Sequence, residues 1–169
     1  MENIINLPDF RIYEKIMRLL YKFSGKIDQF SKAYEYYIQS YGIDNPLFSF
    51  IDKEIETFYD FDIKRRKIYS YPPFVNIIRV IVQSKKHDHL YNVIKDLVES
   101  VKDNKDVTLI GPSTAPIFKL RDNYRYNFLI KAKNKDIILD YCYLIKEKFN
   151  KIKKGYMRIK IDVDPYFFI

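Results

Sequence analysis

Two clusters of basic and aromatic residues are the strongest candidates for chemistry in this sequence. The stretch IKRRKIYSYPPF places Arg65 and Arg66 beside Tyr69 and Tyr71. A second stretch, KLRDNYRYNFLIKA (residues 119–132), carries four Lys or Arg residues around a single acidic residue. Basic side chains neutralise phosphates, and aromatic rings stack on unpaired bases. The two stretches are therefore typical of a nucleic-acid contact.

The second stretch has two interpretations that spacing alone leaves open. On a strand, Tyr124, Tyr126 and Phe128 share one face, while Arg125 and Leu129 share the other. The aromatic face could be an accessible platform for bases, or it could pack on helices while the basic residues form a solvated face. The candidate DNA contacts from both stretches are Arg65, Arg66, Lys119, Arg121, Tyr124, Arg125, Tyr126 and Lys131.

Catalytic and metal sites have weaker support. His87 and His89 are two residues apart at a predicted helix start, so they point to different sides and are interpreted as solvated polar residues. Cys142, the single cysteine, is interpreted as a small core residue. Asp162 and Asp164 could form an acid or metal pair, but a local bond from Asp164 to backbone is the simpler explanation. The sequence contains no GxxxxGK(S/T) phosphate loop, and no catalytic residue, metal or cofactor is predicted.

Composition supports a globular protein with an acidic partner. The chain has 169 residues, 47% of them apolar and 31% charged, which is typical of a folded domain. The net charge of +8 indicates an acidic partner, most often nucleic acid. Part of the Lys excess is also explained by the Lys, Ile, Asn, Tyr and Phe bias of an A+T-rich genome. Because the sequence shows neither a signal peptide nor an apolar run of about 20 residues, we expect a soluble, cytoplasmic protein.

The elements that must position these residues fall into two parts. In the first, PDFRIYEKIMRLLYKF has helical spacing, YEYYIQSY is predicted as a short strand, and helical spacing returns after Asn45 and Pro46. Tyr71, Pro72 and Pro73 end this part, because proline does not continue a helix.

The second part predicts a sheet covered by two helices. FVNIIRVIVQS is a buried strand, HDHLYNVIKDLVESVK an amphipathic helix and DVTLIG a short strand closed by Gly111 and Pro112. APIFKL and YRYNFLIKA flank a tight turn, RDN, as a hairpin, followed by a helix and a final strand, YMRIKIDVD. The order predicts an α+β fold, the split β-α-β-β-α-β or ferredoxin-like arrangement, with one sheet face left open.

Several segments together resemble one family. YSYPPF, IGPSTAPIFKLRDNYRYNFLIKA and IDVDP stand in the order and at the separation found in the C-terminal domain of the primosomal replication-restart helicases, the PriA or primosomal protein N′ family. Upstream, PDFRIYEKIMRLLYKFSGKIDQF is similar to the end of the second helicase lobe of that family. The resemblance implies a lobe remnant at 1–45, linking helices at 46–70 and a C-terminal domain at 71–169 whose fold resembles ribosomal protein S10.

One departure from the family pattern bears on activity. The family motif QVAGRAGR supplies arginines that contact the nucleotide phosphates. The corresponding residues here are Lys26 and Gln29, and neither reproduces the planar fork of an arginine. The resembling stretch also contains no phosphate-binding lobe, DEAH box or cysteine-rich zinc region. We therefore expect no autonomous ATPase or helicase activity.

The resemblance implies a role in DNA replication restart. The C-terminal domain of the family binds branched and single-stranded DNA at abandoned forks and helps to dock the acidic tail of single-stranded-DNA-binding protein. Lys135, near the start of the second helix of this part, is carried over as the cation that faces that tail. The implied partners are DNA, single-stranded-DNA-binding protein and other primosome or helicase subunits, without a membrane. The alternative hypothesis is a protein-interaction module that docks that tail or a partner helicase subunit.

Overall fold

The computed structural model describes residues 9–27, 37–42, 44–51, 53–102 and 104–165, together with Ile5 and Glu35. The chain divides into two compact units, Met1–Tyr69 and Ser70–Ile169. The division lies just before the two prolines at which the sequence predicts the end of the first part. The finer boundary predicted at residue 45, inside the first unit, stays a prediction.

The regular elements described in the first unit are all helices, while residues 37–42 are irregular. It contains helix α1 (Ile12–Ile27), a short 3-10 helix (Pro46–Phe50) and helix α2 (Ile55–Ile68). The amide of Leu47 donates to Asn45 Oδ1 at 3.0 Å, which satisfies a backbone donor at the start of the 3-10 helix. The buried side chains of this unit are mainly aromatic and aliphatic and include Ile16, Met17 and Phe58. Helical structure is thus observed on both sides of the segment predicted as a strand.

That predicted strand, YEYYIQSY, is not observed. Tyr34 and Tyr36 lie outside the described residues, and residues 37–41 carry no strand. The aromatic composition of the segment suggested a strand, but composition supplies no pairing partner. The apolar residues of α1 also differ in burial. Ile12 and Ile16 are buried, while Leu19 and Phe23 are more than half exposed.

The second unit confirms the predicted split β-α-β-β-α-β order and the α+β class. Its elements are β1 (Asn76–Ser84), α3 (His87–Glu99), β2 (Val107–Leu120), β3 (Asn123–Ala132), α4 (Lys135–Ile152) and β4 (Met157–Val163). The sheet order is β2-β3-β1-β4, and every neighbouring pair is antiparallel. The predicted ferredoxin-like arrangement is therefore confirmed.

Both helices of this unit cover the same face of the sheet. The predicted apolar side of α3, including Leu90, Ile94 and Leu97, is buried against alternate residues of β1 and β3 such as Val80 and Phe128. Burying one such side chain stabilises the folded state by roughly 1.5–3 kcal/mol. This apolar layer therefore determines which face of the sheet the helices cover. Among the described helices, each one is too short or too polar to cross a membrane.

Strand β2 is longer than the sequence predicts. The segment DVTLIG was expected to end at Gly111 and Pro112, but the strand continues to Leu120 with register shifts after Ile110 and after Thr114. Gly111 has φ +111°, and a Cβ at this position would lie 3.1 Å from Phe128 Cβ. Glycine therefore lets β2 bend where it packs against Phe128 of the core. After this bulge the pairing of β2 with β3 resumes at Ser113.

The predicted hairpin and its tight turn are confirmed. Leu120 pairs with Asn123, which leaves Arg121 and Asp122 as a two-residue turn. Their φ angles are 47° and 63°, as in the type I′ turn that suits the twist of a hairpin. The turn lies at one end of the sheet, where β1 also ends at Ser84 and β4 begins at Met157. We call this the hairpin end of the sheet.

Candidate nucleic-acid interface

Three of the predicted DNA-binding cations lie near the turn of the hairpin, with Lys119 on the side of Tyr124 and Arg125 on the opposite side. Lys119 and Arg121 are exposed and Arg125 is half-buried. Lys119 Nζ lies 5.3 Å from the centre of the Tyr124 ring, and Arg125 Nη1 lies 3.5 Å from the carbonyl oxygen of Ile117. Within the described part of the chain, no carboxylate forms an ion pair with any of these three cations. Their charge is therefore available to an anion from outside.

Arg65 and Arg66 are placed differently. Both belong to the first unit, where Arg65 Nη2 lies 2.6 Å from Asp62 Oδ1 and Arg66 Nε lies 2.7 Å from Asp62 Oδ2. Arg66 Nη2 also lies 2.8 Å from Glu14 Oε2. The two pairs with Asp62 lie within α2, whereas the pair between Arg66 and Glu14 joins α2 to α1. Both arginines therefore have a structural role. Their predicted contact with DNA stays a prediction, because nothing in the unit tests it.

The aromatic face of the hairpin packs on the helices. Phe128 is fully buried, Tyr126 is 8% exposed, and the Tyr126 hydroxyl lies 2.9 Å from His87 Nε2. Tyr124 is half-buried against the rings of His87 and Phe118. Of the two interpretations left open by spacing, packing on the helices therefore describes Tyr126 and Phe128. The reason is register, since the even-numbered residues of β3 pair with the core-facing residues of β1.

The opposite face of the sheet carries polar groups that the sequence analysis did not identify. Arg79 Nε, Arg125 Nε and Asn127 Oδ1 are buried without a hydrogen-bond partner in the described part of the chain. On β4, Arg158 and Lys160 are exposed on this same face. The alternation of basic residues with Ile159 and Ile161 could have identified Arg158 and Lys160 from the sequence. Arg79 is harder to identify, because apolar residues flank it on both sides in β1.

Lys131 also lies on this face, and its side chain is buried. Burial lowers the pKa of its ammonium below the ordinary value for lysine, because desolvation disfavours the charged form. The Nζ atom lies 3.7 Å from the centre of the Tyr71 ring, close enough for a cation–π contact. The Lys131 ammonium thus already contacts an aromatic ring within the protein. Its predicted contact with DNA stays a prediction.

Of the two acidic residues near the end of β4, Asp162 lies within the strand and Asp164 follows it. Asp162 Oδ2 lies 3.4 Å from both Arg79 Nη2 and Lys160 Nζ. Asp164 follows the strand with φ +46°, and its amide donates to the carbonyl of Ile77 at 2.8 Å. The Asp164 Oδ1 also accepts from the Ile77 amide at 3.4 Å. Asp164 therefore bonds to backbone, but to that of β1 and not locally as the sequence analysis expected.

Lys135 begins α4 at the end of the sheet opposite the hairpin end and is exposed. The preceding Asn134 caps the helix, with its Oδ1 accepting from the Asp136 amide at 2.7 Å. A groove of about 320 Å³ beside this start is lined by Lys105, Lys131 and Lys133, among others. The proposed partner-binding residue therefore lies close to several other basic residues.

Of the two positions that depart from the helicase motif, Lys26 is exposed in α1 and Gln29 lies outside the described residues.

Residues 67–166 match the family of the primosomal protein N C-terminal domain, PriA_C. The chain belongs to this family. The replication restart protein PriA of Bacillus subtilis is 28% identical over 98% of the chain, and those of Chlamydia pneumoniae and Borreliella burgdorferi are 30% identical over 94% and 95%. The chain spans only 21–24% of the length of these relatives. The matches confirm the resemblance predicted from the sequence motifs.

The PriA_C match coincides with the second unit. It begins at Lys67, close to the unit boundary at Ser70, and ends at Tyr166. The hairpin with Lys119, Arg121 and Arg125 thus lies inside the family domain. Among solved structures, the designed protein Foldit4 matches 55% of the chain with 15% identity and a TM-score of 0.44.

Proposed function

We propose that this PriA_C-family chain is a DNA-binding module of replication-restart type, which contacts forked or single-stranded DNA through the β2–β3 hairpin. The observation that carries the proposal is the difference in charge pairing between the two predicted basic clusters. Lys119, Arg121 and Arg125 have no carboxylate partner in the described residues, whereas Arg65 and Arg66 are ion-paired. The relatives named replication restart protein PriA supply the biological context.

The physical basis of the affinity is counterion release. A chain of net charge +8 attracts the phosphate backbone, and each neutralised phosphate lowers the slope of log K against log salt by about 0.9 for duplex DNA. Contacts to phosphate carry little sequence information, so we expect binding that depends on DNA structure and salt more than on sequence.

The test measures binding to labelled forked and single-stranded DNA by fluorescence anisotropy over a range of salt concentrations. The variant Arg121→Ala plus Arg125→Ala is expected to weaken binding roughly tenfold or more and to reduce the salt slope by about 2. The control, Lys95→Ala plus Lys146→Ala, removes the same charge from exposed positions on the two helices. Equal losses in both variants would show a non-specific charge effect, and no binding by the unaltered chain at low salt would overturn the proposal.

A second candidate function is docking of an acidic peptide, such as the tail of single-stranded-DNA-binding protein, or of a partner helicase subunit. The groove lined by Lys105, Lys131 and Lys133 beside the start of α4 favours it. Lys135→Ala should then weaken binding of an acidic C-terminal peptide and leave DNA binding unchanged. Peptide binding without any DNA affinity would make this the principal function.

We infer that the chain does not unwind DNA by itself and acts in the cytoplasm beside other primosome or helicase subunits. In this proposal, residues 71–169 form the DNA-contacting domain, residues 1–45 are a remnant of a helicase lobe, and residues 46–70 are linking helices. An assay of ATP turnover on the purified chain with forked DNA should give no activity above background. Turnover that survives further purification would contradict this inference.

A further inference from the structure

A pocket of about 430 Å³ lies at the hairpin end of the sheet, on the side of β1 away from the hairpin. Its walls come from the end of β1 and the start of α3, and from the connection between α4 and β4. The lining residues are Ser84, Lys85, Lys86, His89, Lys154, Gly155, Tyr156 and Met157. None of the predicted DNA contacts belongs to it.

The rim of the pocket is cationic. Lys85, Lys86 and Lys154 are exposed, and His89 lies beside them. No acidic residue is among the described residues that line the pocket. The three lysines form no ion pair with a carboxylate in the part of the chain that the structure describes. Three such charges around one cavity repel one another, and an anion between them would relieve that repulsion.

Polar groups of the wall add donors to this charge. Helix α3 begins at His87, and the side chain of its N-cap residue, Lys86, makes no capping hydrogen bond. The first amides of the helix therefore lack the side-chain acceptor that Asn134 provides at α4. Ser84 is 4% exposed, and its Oγ accepts from the Lys86 amide at 3.2 Å, so its hydroxyl proton remains to be donated.

The floor and one wall are apolar. Met157 is buried, and Tyr156 as a whole residue is 66% exposed. The guanidinium of Arg158 lies 5.0 Å from the centre of that ring. An exposed aromatic ring beside a cation suits the stacking of an unpaired base, which contributes about 1–3 kcal/mol in single-stranded DNA complexes. The volume exceeds the needs of a lone phosphate and has room for a larger part of a nucleotide.

We propose that this pocket binds one nucleotide of single-stranded DNA. The phosphate contacts Lys85, Lys86 and Lys154, and the base stacks on the ring of Tyr156. The inference rests on the proposed function, since the nucleotide belongs to the strand that the hairpin contacts. Register supports one continuous path, because Ser84 pairs with Tyr124 of the hairpin on one side and with Met157 on the other.

The test uses a labelled oligothymidylate of about 12 nucleotides, within the usual footprint of such sites. Tyr156→Ala is expected to weaken binding about tenfold. Tyr156→Phe keeps the ring but loses the hydroxyl that accepts from Arg158 Nη2, and it should restore most of the affinity lost in Tyr156→Ala. Lys154→Ala should reduce the salt slope by about 1. The matched controls are Tyr143→Ala, an exposed tyrosine of α4, and Lys95→Ala on α3, and both should bind as the unaltered chain does.

A second measurement locates the ligand directly. Addition of thymidine 5′-monophosphate should shift the NMR signals of the Gly155 amide and the His89 ring. If the chain binds the oligonucleotide and Arg121→Ala plus Arg125→Ala weakens it, but Tyr156→Ala and Lys154→Ala do not, the pocket proposal is overturned and the proposed function stands. If the unaltered chain binds no DNA, both fail. Shifts with an acidic peptide and none with the nucleotide would also overturn the pocket proposal.

Discussion

His87 at the start of α3 and Tyr126 in the middle of β3 are joined by a hydrogen bond, with 2.9 Å between Nε2 and the hydroxyl oxygen. The same imidazole packs edge-on against Phe118 and Tyr124, so it contacts both strands of the hairpin. This contact fixes the aromatic side of the hairpin on the helix. As a consequence Arg125, on the alternate side of β3, points away from the helices.

Tyr126→Phe removes this hydrogen bond and keeps the ring. We expect a loss of about 0.5–1.5 kcal/mol in the free energy of unfolding, measured by urea denaturation, and unchanged DNA affinity. Tyr143→Phe, at a residue that is 76% exposed, should change neither quantity. Weaker DNA binding at unchanged stability would instead place the Tyr126 hydroxyl in the DNA interface.

Arg66→Ala breaks the ion pairs with Asp62 and Glu14 in the first unit. Because the Asp62 side chain is only 5% exposed, losing a charged hydrogen-bond partner is expected to cost about 1.5–3 kcal/mol. Amide hydrogen exchange along α2 reports this loss. Lys67→Ala, at an exposed neighbour, is the control for charge. If exchange stays unchanged and forked-DNA binding weakens, Arg66 contacts DNA as the sequence analysis proposed.

Asp9 should make the first unit sensitive to acid. Burial by itself would raise the pKa of its carboxyl, but the hydrogen bonds from Lys15 and the Arg11 amide, together with the charges of Lys15 and Arg11, lower it below the ordinary 3.8. The resulting stabilisation is present above that ordinary value and is lost as the pH falls through the lowered pKa.

The Asp9 prediction is checked by NMR titration of its carboxyl carbon and by acid unfolding. Asp9→Asn should reduce stability at pH 7 and flatten the dependence on pH in the acid range, while Asp60→Asn at an exposed position of α2 should not. A titration midpoint at or above 3.8 for Asp9 would contradict the expected shift.

Gly111→Ala and Gly25→Ala form a matched pair. At Gly111 an added Cβ would lie 3.1 Å from Phe128 Cβ, and φ is +111°, so we expect a loss of about 1–3 kcal/mol in unfolding free energy. At Gly25, exposed in α1, nothing lies within 4 Å of an added Cβ. There alanine should stabilise the helix by about 0.5–1 kcal/mol. Similar effects at both sites, measured by thermal unfolding, would show that the bend in β2 does not require glycine.

The sequence alone was sufficient for the order of elements in the second unit. Period-2 and period-3.6 patterns are local properties, so Leu90, Ile94 and Leu97 could be assigned to the buried side of α3 before any partner was known. The hairpin followed from turn residues adjacent in sequence, and the family from motifs spread along the chain. By contrast, the predicted strand at YEYYIQSY rested on composition alone, and the residues of this segment that the structure describes form no strand.

The assignment of roles to side chains required the tertiary structure. Spacing shows that Tyr124, Tyr126 and Phe128 share a face, but only the pairing of β3 with β1 decides that the helices cover that face. Likewise, Arg66 and Arg121 are equally basic in the sequence, and long-range contacts alone distinguish the arginine paired with Glu14 from the one without a carboxylate partner in the described residues. The pocket around Tyr156 joins segments about 70 residues apart. The physical reason is that periodicity is encoded locally, whereas burial, ion pairing and cavities depend on which distant residues the fold brings together.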